Sequence, residues 1–424
     1  MLRNHELFGA MKPYLFPGIF ILLVLFMAWR IVKVGVSEHY VMVAGDGDEA
    51  VIDKALSWYG SHPRALFFKA RQLMVSNPVE AERLLKISLQ GNPADGRPAV
   101  LLAELLLQQG RIEDADALMG RAVWLMPANP WVRLGAGDYW LKRKKDNLVI
   151  ENWSAALTTK PDLSGKLFPV LLNLAENEKA RPLFKPLVEA PPKWWESFVA
   201  YLAEKVKDHE TLVAIMNMRK GTSVSLSKGE RESLVGRLER DRQWPLAYLE
   251  WASGLSGTER RSLGSVYNGG FELEPGNRGF DWYLPNMKGV VATRTRDRDA
   301  VGEKVLQLAF TGQEMSFAHL HQLLFLPAGK YAFSVRVRVD GLATRGGLHW
   351  VLRCADNPDP ALGESERLLG ASEWRTVGFN LEVPDEPGCL AQILQLESTG
   401  KHLYDHKLQG AILFDQVEIR RNRQ

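Results

Sequence analysis

The most apolar stretch of the chain lies near its N-terminus. Between Tyr14 and Trp29 no residue carries a charge, and the run continues past the snorkelling side chains of Arg30 and Lys33. About 20 such residues are the length that an α-helix needs to cross a bilayer core. A cleaved signal peptide would have a shorter run followed by small residues, and no good cleavage site occurs before Asp46. The pattern therefore predicts a retained transmembrane anchor.

A second pattern, of helical spacing in a fixed repeat, begins after residue 50. Pro93, Pro127 and Pro161 are each 34 residues apart, which is the period of a repeat built from helix-turn-helix units. In the clearest unit, Arg97 to Pro130, a first helix is predicted to end at Gly110 and a second helix follows it. Three such units are legible.

Residues 61–162 resemble the tetratricopeptide repeat family. The resemblance implies a right-handed solenoid of helical hairpins with a concave face that binds a protein partner. The third unit departs from the family pattern, because Gly137 replaces an Ala and Lys144 stands where a helix-ending Gly is expected. These two departures leave the turn of the third unit undefined by the pattern.

Helical spacing continues beyond the recognisable repeats. From Leu163 to about Leu263 the 34-residue register fades, but three further hairpins are predicted, with breaks at Asn177, near His209 and at Trp244-Pro245. A single hairpin cannot bury its own apolar stripe, so we expect these hairpins to stack onto the repeats.

Alternating apolar and polar residues replace helical spacing from Ser265 onwards. Between Tyr331 and Val339 every second residue is apolar, which is typical of a half-buried antiparallel strand. Several such strands separated by Gly/Pro turns predict a β-sandwich. We therefore expect a multidomain fold: a transmembrane helix, an all-α solenoid and an all-β jelly roll. The expected boundaries are 1–36 for a cytoplasmic stub and anchor, 37–50 for a tether, 51–263 for the solenoid and 264–424 for the sandwich.

Five short motifs of the C-terminal region occur in an order found in a known family. They are NGGFE from Asn268, FDW from Phe280, PAGKYAFSVRV from Pro327, EWRTVGFNLEVP from Glu373 and GAILFDQVEI from Gly410. Together they resemble the jelly-roll carbohydrate-binding modules of families four, nine and twenty-two, which occur beside xylanases and cellulases.

That resemblance implies a structural calcium ion held by Glu272 and Asp415 with backbone carbonyls, since calcium prefers oxygen ligands. Gln416 departs from the pattern, because a second acid is commoner at its position. The alternative is that both carboxylates only cap turns.

The resemblance also implies sugar stacking on aromatic rings. The candidates for glycan contact are Trp350, Tyr283, His319, His321 and Tyr404. Trp350 shares a strand face with Leu348 and Leu352, and that face is either the core or the ligand cleft. Trp282 and Trp374 are expected to be core residues.

Charge and cysteine content exclude few functions. A net charge of +3 gives no reason to expect a nucleic-acid partner. The two cysteines, Cys354 and Cys389, would form a disulfide in an exported protein and remain two buried thiols in a cytosolic one.

The chain carries no G-x-S-x-G, H-E-x-x-H, Walker-type or C-x-x-C motif. We therefore expect no enzyme.

Flanking charges do not orient the anchor, since Arg3 and Lys12 before it balance Arg30 and Lys33 after it. The sandwich and the cysteine pair favour export. We expect a single-pass protein of the bacterial inner membrane with a periplasmic bulk. It would be a non-enzymatic scaffold in exopolysaccharide or O-antigen assembly and export, contacting a protein partner and a polysaccharide. The alternatives are a protein–protein assembly factor with the sandwich as a structural cap, and a glycoside-active enzyme.

Overall fold

The computed structural model of this chain describes residues 12–45, 47–219, 222–400 and 402–422. Residues 1–11 of the predicted cytoplasmic stub, Asp46 of the predicted tether, and the last two residues of the predicted sandwich lie outside the described residues. The chain divides into two compact units. Unit 1 comprises Met1–Val170 and Pro192–Trp194, and unit 2 comprises Leu171–Pro191 and Trp195–Gln424.

Unit 1 is built from helices that pack as antiparallel hairpins. They are α1 Lys12–Val43, α2 Glu49–Trp58, α3 Pro63–Leu73, α4 Pro78–Gly91, α5 Gly96–Gln108, α6 Ile112–Leu125, α7 Pro130–Lys142 and α8 Asp146–Thr159. The first turns of α4, α5 and α7 are capped by Asn77, Asp95 and Asn129, whose side chains accept backbone N–H bonds. Pro78 and Pro130 occupy the first helical position, where a missing N–H does no harm.

The apolar helix α1 does not end in a tether. It runs to Val43, and Ser37, Val41 and Ala44 are buried at the spacing of one helical face. The hydroxyl of Ser37 donates a hydrogen bond of 2.8 Å to the carbonyl oxygen of Ala55 in α2. Most of the predicted tether, residues 37–50, is therefore helical, because its apolar stripe packs against α2.

The third repeat keeps the turn of the second despite its unusual residues. Gly110 has φ +77°, and Lys144, 34 positions later, adopts φ +55°. Gly137 leaves room for the indole of Trp153, since a Cβ at this position would overlap that ring. The Ala of the family pattern is thus replaced because a larger neighbour fills its space.

Unit 2 begins with further helices. They are the end of α9 Ser164–Glu176, α10 Lys185–Glu189, α11 Trp195–Lys205, α12 His209–Asn217, α13 Lys228–Arg240, α14 Trp244–Ser253 and α15 Gly257–Arg260. The helices break at the three places that the spacing predicts. Inside this segment Arg219 forms a buried ion pair with Glu230, whose nitrogen–oxygen distance is 2.7 Å.

The rest of unit 2 is a sandwich of two five-stranded antiparallel sheets. The front sheet has the order β1-β4-β9-β6-β7 and the back sheet the order β2-β3-β10-β5-β8. The strands are β1 Trp282–Tyr283, β2 Val290–Thr295, β3 Val305–Glu314, β4 Leu320–Leu324, β5 Gly329–Ala343, β6 Leu348–Cys354, β7 Gly363–Glu364, β8 Gly370–Val383, β9 Gln392–Ser398 and β10 Lys407–Arg421. The predicted fold class, an apolar helix, tetratricopeptide-like hairpins and an all-β sandwich, is confirmed.

Two kinds of contact consolidate unit 2. A disulfide joins Cys354, at the end of β6, to Cys389, with their Cα atoms 4.7 Å apart. Helix α14 packs on the sandwich through aromatic rings: Tyr248 stacks on Phe325 at 5.4 Å, and Trp251 meets Tyr267 edge-on at 5.0 Å. The last helical hairpin therefore packs on the sandwich through rings that lie outside the sandwich's own hydrophobic core.

The left-handed backbone at Lys144 yields a stability prediction. A Cβ in this conformation costs roughly 1–2 kcal/mol, so Lys144→Gly is expected to stabilise unit 1 by about 1 kcal/mol and to raise its Tm. The measurement is thermal unfolding of the full chain in detergent, followed by circular dichroism. Lys145→Gly is the matched control, because Lys145 has φ −101° and should gain nothing. A Lys144→Gly variant that melts below the wild type would contradict the strain argument.

Candidate functional site

The outer face of the front sheet collects polar and aromatic side chains. Along β4 and β9 the inward residues are buried and the alternate residues are half-buried. This alternation also turns Leu323, Ile393 and the buried Val351 outward; the polar and aromatic residues among the outward set, here called the front face, are Tyr283, His321, His349, Arg353, Gln395 and Glu397. The strand register places Tyr283 opposite His321, and His321 opposite Gln395. The front face is therefore a continuous surface over four strands.

Two of the predicted glycan contacts meet on the front face. The rings of Tyr283 and His321 stack with centroids 4.8 Å apart and an angle of 5° between their planes. Burial lowers the pKa of His321 and raises that of Tyr283. Both rings are therefore neutral at pH 7. The predicted contact His319 lies immediately before β4 and packs near Phe317 at 5.6 Å.

An ion network fills the centre of the front face. Glu397 lies between His349, at 3.1 Å from Nε2, and Arg353, at 2.9 Å from Nη2. The hydrogen bond from His349, together with that from Arg353, outweighs the effect of burial and lowers the pKa of Glu397 to about 2. Glu397 is thus ionised at any pH at which the chain would work. No local sequence pattern predicts this network, because Glu397 on β9 is 44 residues from Arg353 and 48 residues from His349, which both lie on β6.

Trp350 is a core residue and not a glycan contact. Its side chain is fully buried and packs against Phe414 at 5.3 Å and against Trp282 and Phe333 at 5.9 Å. Leu352 is buried on the same strand face, which is the inner one. The ring therefore has no free face for a sugar, and the prediction for Trp350 is wrong.

Trp374, which was expected to be buried, lies on the outer face of the back sheet. It is half-buried between the guanidinium groups of Arg336 and Arg338, at 5.1 and 5.6 Å from its ring centre. Its indole N–H donates a 3.1 Å hydrogen bond to Asp297. Alternation with the buried Val377 would have placed Trp374 on the outer face, so this signal was present in the sequence.

Tyr404 belongs to another cluster. It is about half exposed, with 49% of its surface accessible, in a short helical turn before β10. His402 stacks on its ring at 5.2 Å, and the guanidinium of Arg345 lies 5.1 Å from the ring centre. The five predicted glycan contacts are therefore separated. Tyr283 and His321 lie on the front face, His319 precedes β4, Trp350 is in the core and Tyr404 is in this turn.

The two predicted calcium ligands lie beside the same glycine. A Cβ built on Gly270 would lie 3.9 Å from Cγ of Glu272 and 4.0 Å from Oδ1 of Asp415. Asp415 is fully buried. Burial raises its pKa, and the charge of Glu272 adds to that effect. Two carboxylates that repel each other beside an open glycine are oxygen ligands of the kind calcium prefers, but the guanidinium of Arg336, 3.4 Å from Oδ2 of Asp415, already neutralises part of their charge.

The same carboxylates also serve as caps. Asp415 accepts 2.8 Å hydrogen bonds from the backbone N–H groups of Val301 and Gln416, and Glu272 accepts one of 2.7 Å from Glu303. Within the described ranges no group of three or more His, Cys, Asp or Glu is placed to hold a metal. Backbone carbonyls would therefore have to complete a calcium site.

Comparison with known proteins supports the repeat. Residues 72–123 match the tetratricopeptide repeat family. None of the curated proteins matches the chain.

Several solved structures are similar to part of the chain. One is a family 61 carbohydrate-binding module in complex with β-1,4-galactotriose, with 20% identity, covering 38% of this chain and 100% of the module at a TM-score of 0.26. Another is the CBM22-1 xylan-binding domain of Paenibacillus barcinonensis Xyn10C, with 16% identity, 34% and 86% coverage and a TM-score of 0.24. A third is tailspike protein 4 of bacteriophage CBA120, with 16% identity, a TM-score of 0.28 and coverage of 37% of this chain. This chain spans only 21% of that tailspike chain. The chain has an N-terminal apolar helix, helical hairpins of which residues 72–123 match a tetratricopeptide repeat, and an all-β sandwich.

Proposed function

We propose that this chain is a non-enzymatic, membrane-tethered scaffold whose helical repeat binds a protein partner and whose sandwich contacts carbohydrate. The observation that carries the proposal is the continuity of α1. Within its segment Pro17–Val43 the most apolar 18-residue window has a mean hydropathy of 2.3 and no buried residues, and the segment is long enough to cross a membrane. A signal sequence would share these properties. The buried contact of Ser37 with α2 holds the repeat close to the end of the apolar run.

The face formed by the first helices of the hairpins supports protein binding. Trp131 of α7 is half-buried and lies 5.7 Å from the buried ring of Phe67 of α3, and the guanidinium of the half-buried Arg97 lies 5.5 Å from the centre of that ring. On the same helices Lys142 lies 3.7 Å from Glu104. Aromatic and arginine side chains in such an arrangement are the residues that dominate binding energy in protein interfaces.

We place the bulk of the chain in the bacterial periplasm and the anchor in the inner membrane. The disulfide between Cys354 and Cys389 supports an oxidising compartment. In this position the scaffold would be an accessory factor in exopolysaccharide or O-antigen assembly and export. This finer assignment depends on the combination of anchor, repeat and sandwich.

A second candidate function is a protein–protein assembly factor in which the sandwich is only a cap. The aromatic contact between α14 and the sandwich favours it, because that contact covers apolar surface at the end of the helical array. Trp244 adds a 2.9 Å hydrogen bond from its indole to Asp356. The two candidates differ in one property, the binding of glycans.

A glycan array separates these two functions. The full chain in detergent, probed with and without calcium, is expected to retain at least one glycan if the sandwich contacts carbohydrate. Binding to no glycan under either condition would favour the cap. A second sample, the variant His321→Ala, lacks one ring of the stack on the front face. Its glycan binding, compared with that of the wild type, shows whether the front face contributes to binding.

Topology is tested with reporters fused after Gln424. Alkaline phosphatase, which folds only in an oxidising compartment, is expected to be active in bacterial cells, and green fluorescent protein exported by the same route is expected to be dark. The reverse pattern would place the sandwich in the cytosol and remove the periplasmic assignment.

We also propose that Glu272 and Asp415 hold a structural calcium ion. A ligand that binds only the folded state stabilises it by mass action, by about 2.7 kcal/mol at a hundred times its dissociation constant. Calcium is therefore expected to raise the Tm of the wild-type sandwich by several degrees, on the order of 2–4 °C per kcal/mol. Asp415→Asn should lose this response. Asp340→Asn, a more exposed acid on the same sheet, should keep it, and an unchanged calcium response in Asp415→Asn would refute the site.

A further inference from the structure

A cavity of about 580 Å³ lies in unit 2 beside the contact between α14 and the sandwich. Its walls come from α13, from the end of α14 and from residues 277–279 and Tyr283, which lead into and form β1. Gly279 makes this arrangement possible. It has φ +55°, and a Cβ at this position would overlap the indole of Trp251 in the wall of the cavity. The volume is in the range of pockets that bind small molecules.

The charges around the cavity are balanced. Three basic and three acidic side chains line it: Lys228, Arg231, Arg278, Glu232, Glu239 and Glu259. Some are already paired, since Arg278 binds Glu232, and Arg231 lies 3.1 Å from Glu250 outside the cavity. A lining of this kind attracts neither anions nor cations strongly, but it offers many hydrogen-bond donors and acceptors. It therefore suits a neutral ligand that is rich in hydroxyl groups.

Glu239 is the unsatisfied group of the cavity. Its Oε1 atom is buried and has no hydrogen-bond partner among the described residues. Burial raises the pKa of Glu239 to about 7. A buried polar atom without a partner destabilises a protein by about 1–3 kcal/mol. Glu239 lines the cavity, but its Oε1 lies beneath the cavity surface, so a rotation of the side chain would bring this oxygen to a ligand hydroxyl that supplies the missing hydrogen bond.

Aromatic surface is available beside this group. Tyr283 reaches the cavity from the edge of the front sheet, and its ring is held in place by the stack on His321. Trp251 is buried and backs the wall of the cavity, fixed against Phe280 at 5.7 Å and Tyr267 at 5.0 Å. Rings that are held rigid lose little entropy on binding and pack well against the apolar faces of sugars.

We propose that this cavity binds a neutral oligosaccharide, with Glu239 hydrogen-bonded to a sugar hydroxyl and Tyr283 in contact with the sugar ring. The inference rests on the proposed function, and it assigns the carbohydrate-binding site to this cavity. The sugar lies between the last helical hairpin and the edge of the sandwich, and not on the centre of the front face, where Glu397 is already paired with His349 and Arg353.

The test uses a variant that fills the cavity. Gly236 lines it from α13, and a Cβ at this position meets no atom within 4 Å. Gly236→Phe should therefore fold and block the site. Gly120→Phe on α6 is the matched control, because a Cβ there also meets nothing within 4 Å and the residue lies in unit 1. Glu239→Ala removes the unsatisfied carboxyl group.

The full chain in detergent is titrated by calorimetry with neutral hexasaccharides of glucose, mannose, galactose and xylose, and with an oligogalacturonate as the anionic comparison. We expect one neutral oligosaccharide to bind the wild type and Gly120→Phe equally. Gly236→Phe and Glu239→Ala should weaken binding by about tenfold or more, with Tm values no lower than that of the control.

Each contrary result overturns a different claim. Wild-type affinity in Gly236→Phe would overturn the cavity and leave the proposed function standing, with the sugar elsewhere on the sandwich. Binding of only the oligogalacturonate would overturn the neutral ligand. Binding of none of these oligosaccharides, in a chain that also binds nothing on the glycan array, would overturn both the cavity and the carbohydrate function.

Discussion

Unit 2 depends on the aromatic packing between α14 and the sandwich. Burying a large apolar side chain contributes about 1.5–3 kcal/mol, and a favourable ring pair adds about 0.5–1.5 kcal/mol. Tyr248 contacts both Phe325 and Phe280, and Trp251 contacts Phe280 and Tyr267. Neither the last hairpin nor the edge of the sandwich could bury these rings alone. The cavity exists because the two surfaces meet at the rings and diverge beside them.

The N-terminal helices likewise depend on apolar surface that no single helix can bury alone. The C-terminal turns of α1 carry an apolar stripe that only α2 and α3 can cover. Ser37 binds the backbone of α2, and Glu38 lies 2.8 Å from the ring of His62, the residue that caps α3. An apolar helix that ends in a buried contact holds the repeat at a fixed place relative to the helix. This coupling supports the proposed membrane-tethered scaffold.

Both candidate surfaces keep a buried polar atom without a hydrogen-bond partner among the described residues: Nδ1 of His321 on the front face and Oε1 of Glu239 in the cavity. On the front face Glu397 is fully engaged by His349 and Arg353, whereas Glu239 in the cavity keeps a buried oxygen without a partner. Binding energy is available where a polar group is desolvated and unpaired, since a ligand then restores a lost bond. The presence of an aromatic ring is not enough to mark a sugar contact, because Trp350, one of the five predicted contacts, is part of the core.

The sequence by itself determined the apolar helix, the hairpins with their breaks and the antiparallel strands, because periodicity and turn residues are local signals. Only the tertiary structure decided which rings face outward and where separate segments meet. Lys144 takes a glycine's conformation because its neighbours hold the turn. The cavity around Glu239 joins residues from 225 to 283, and no local pattern records that a helix and a loop so far apart enclose one space.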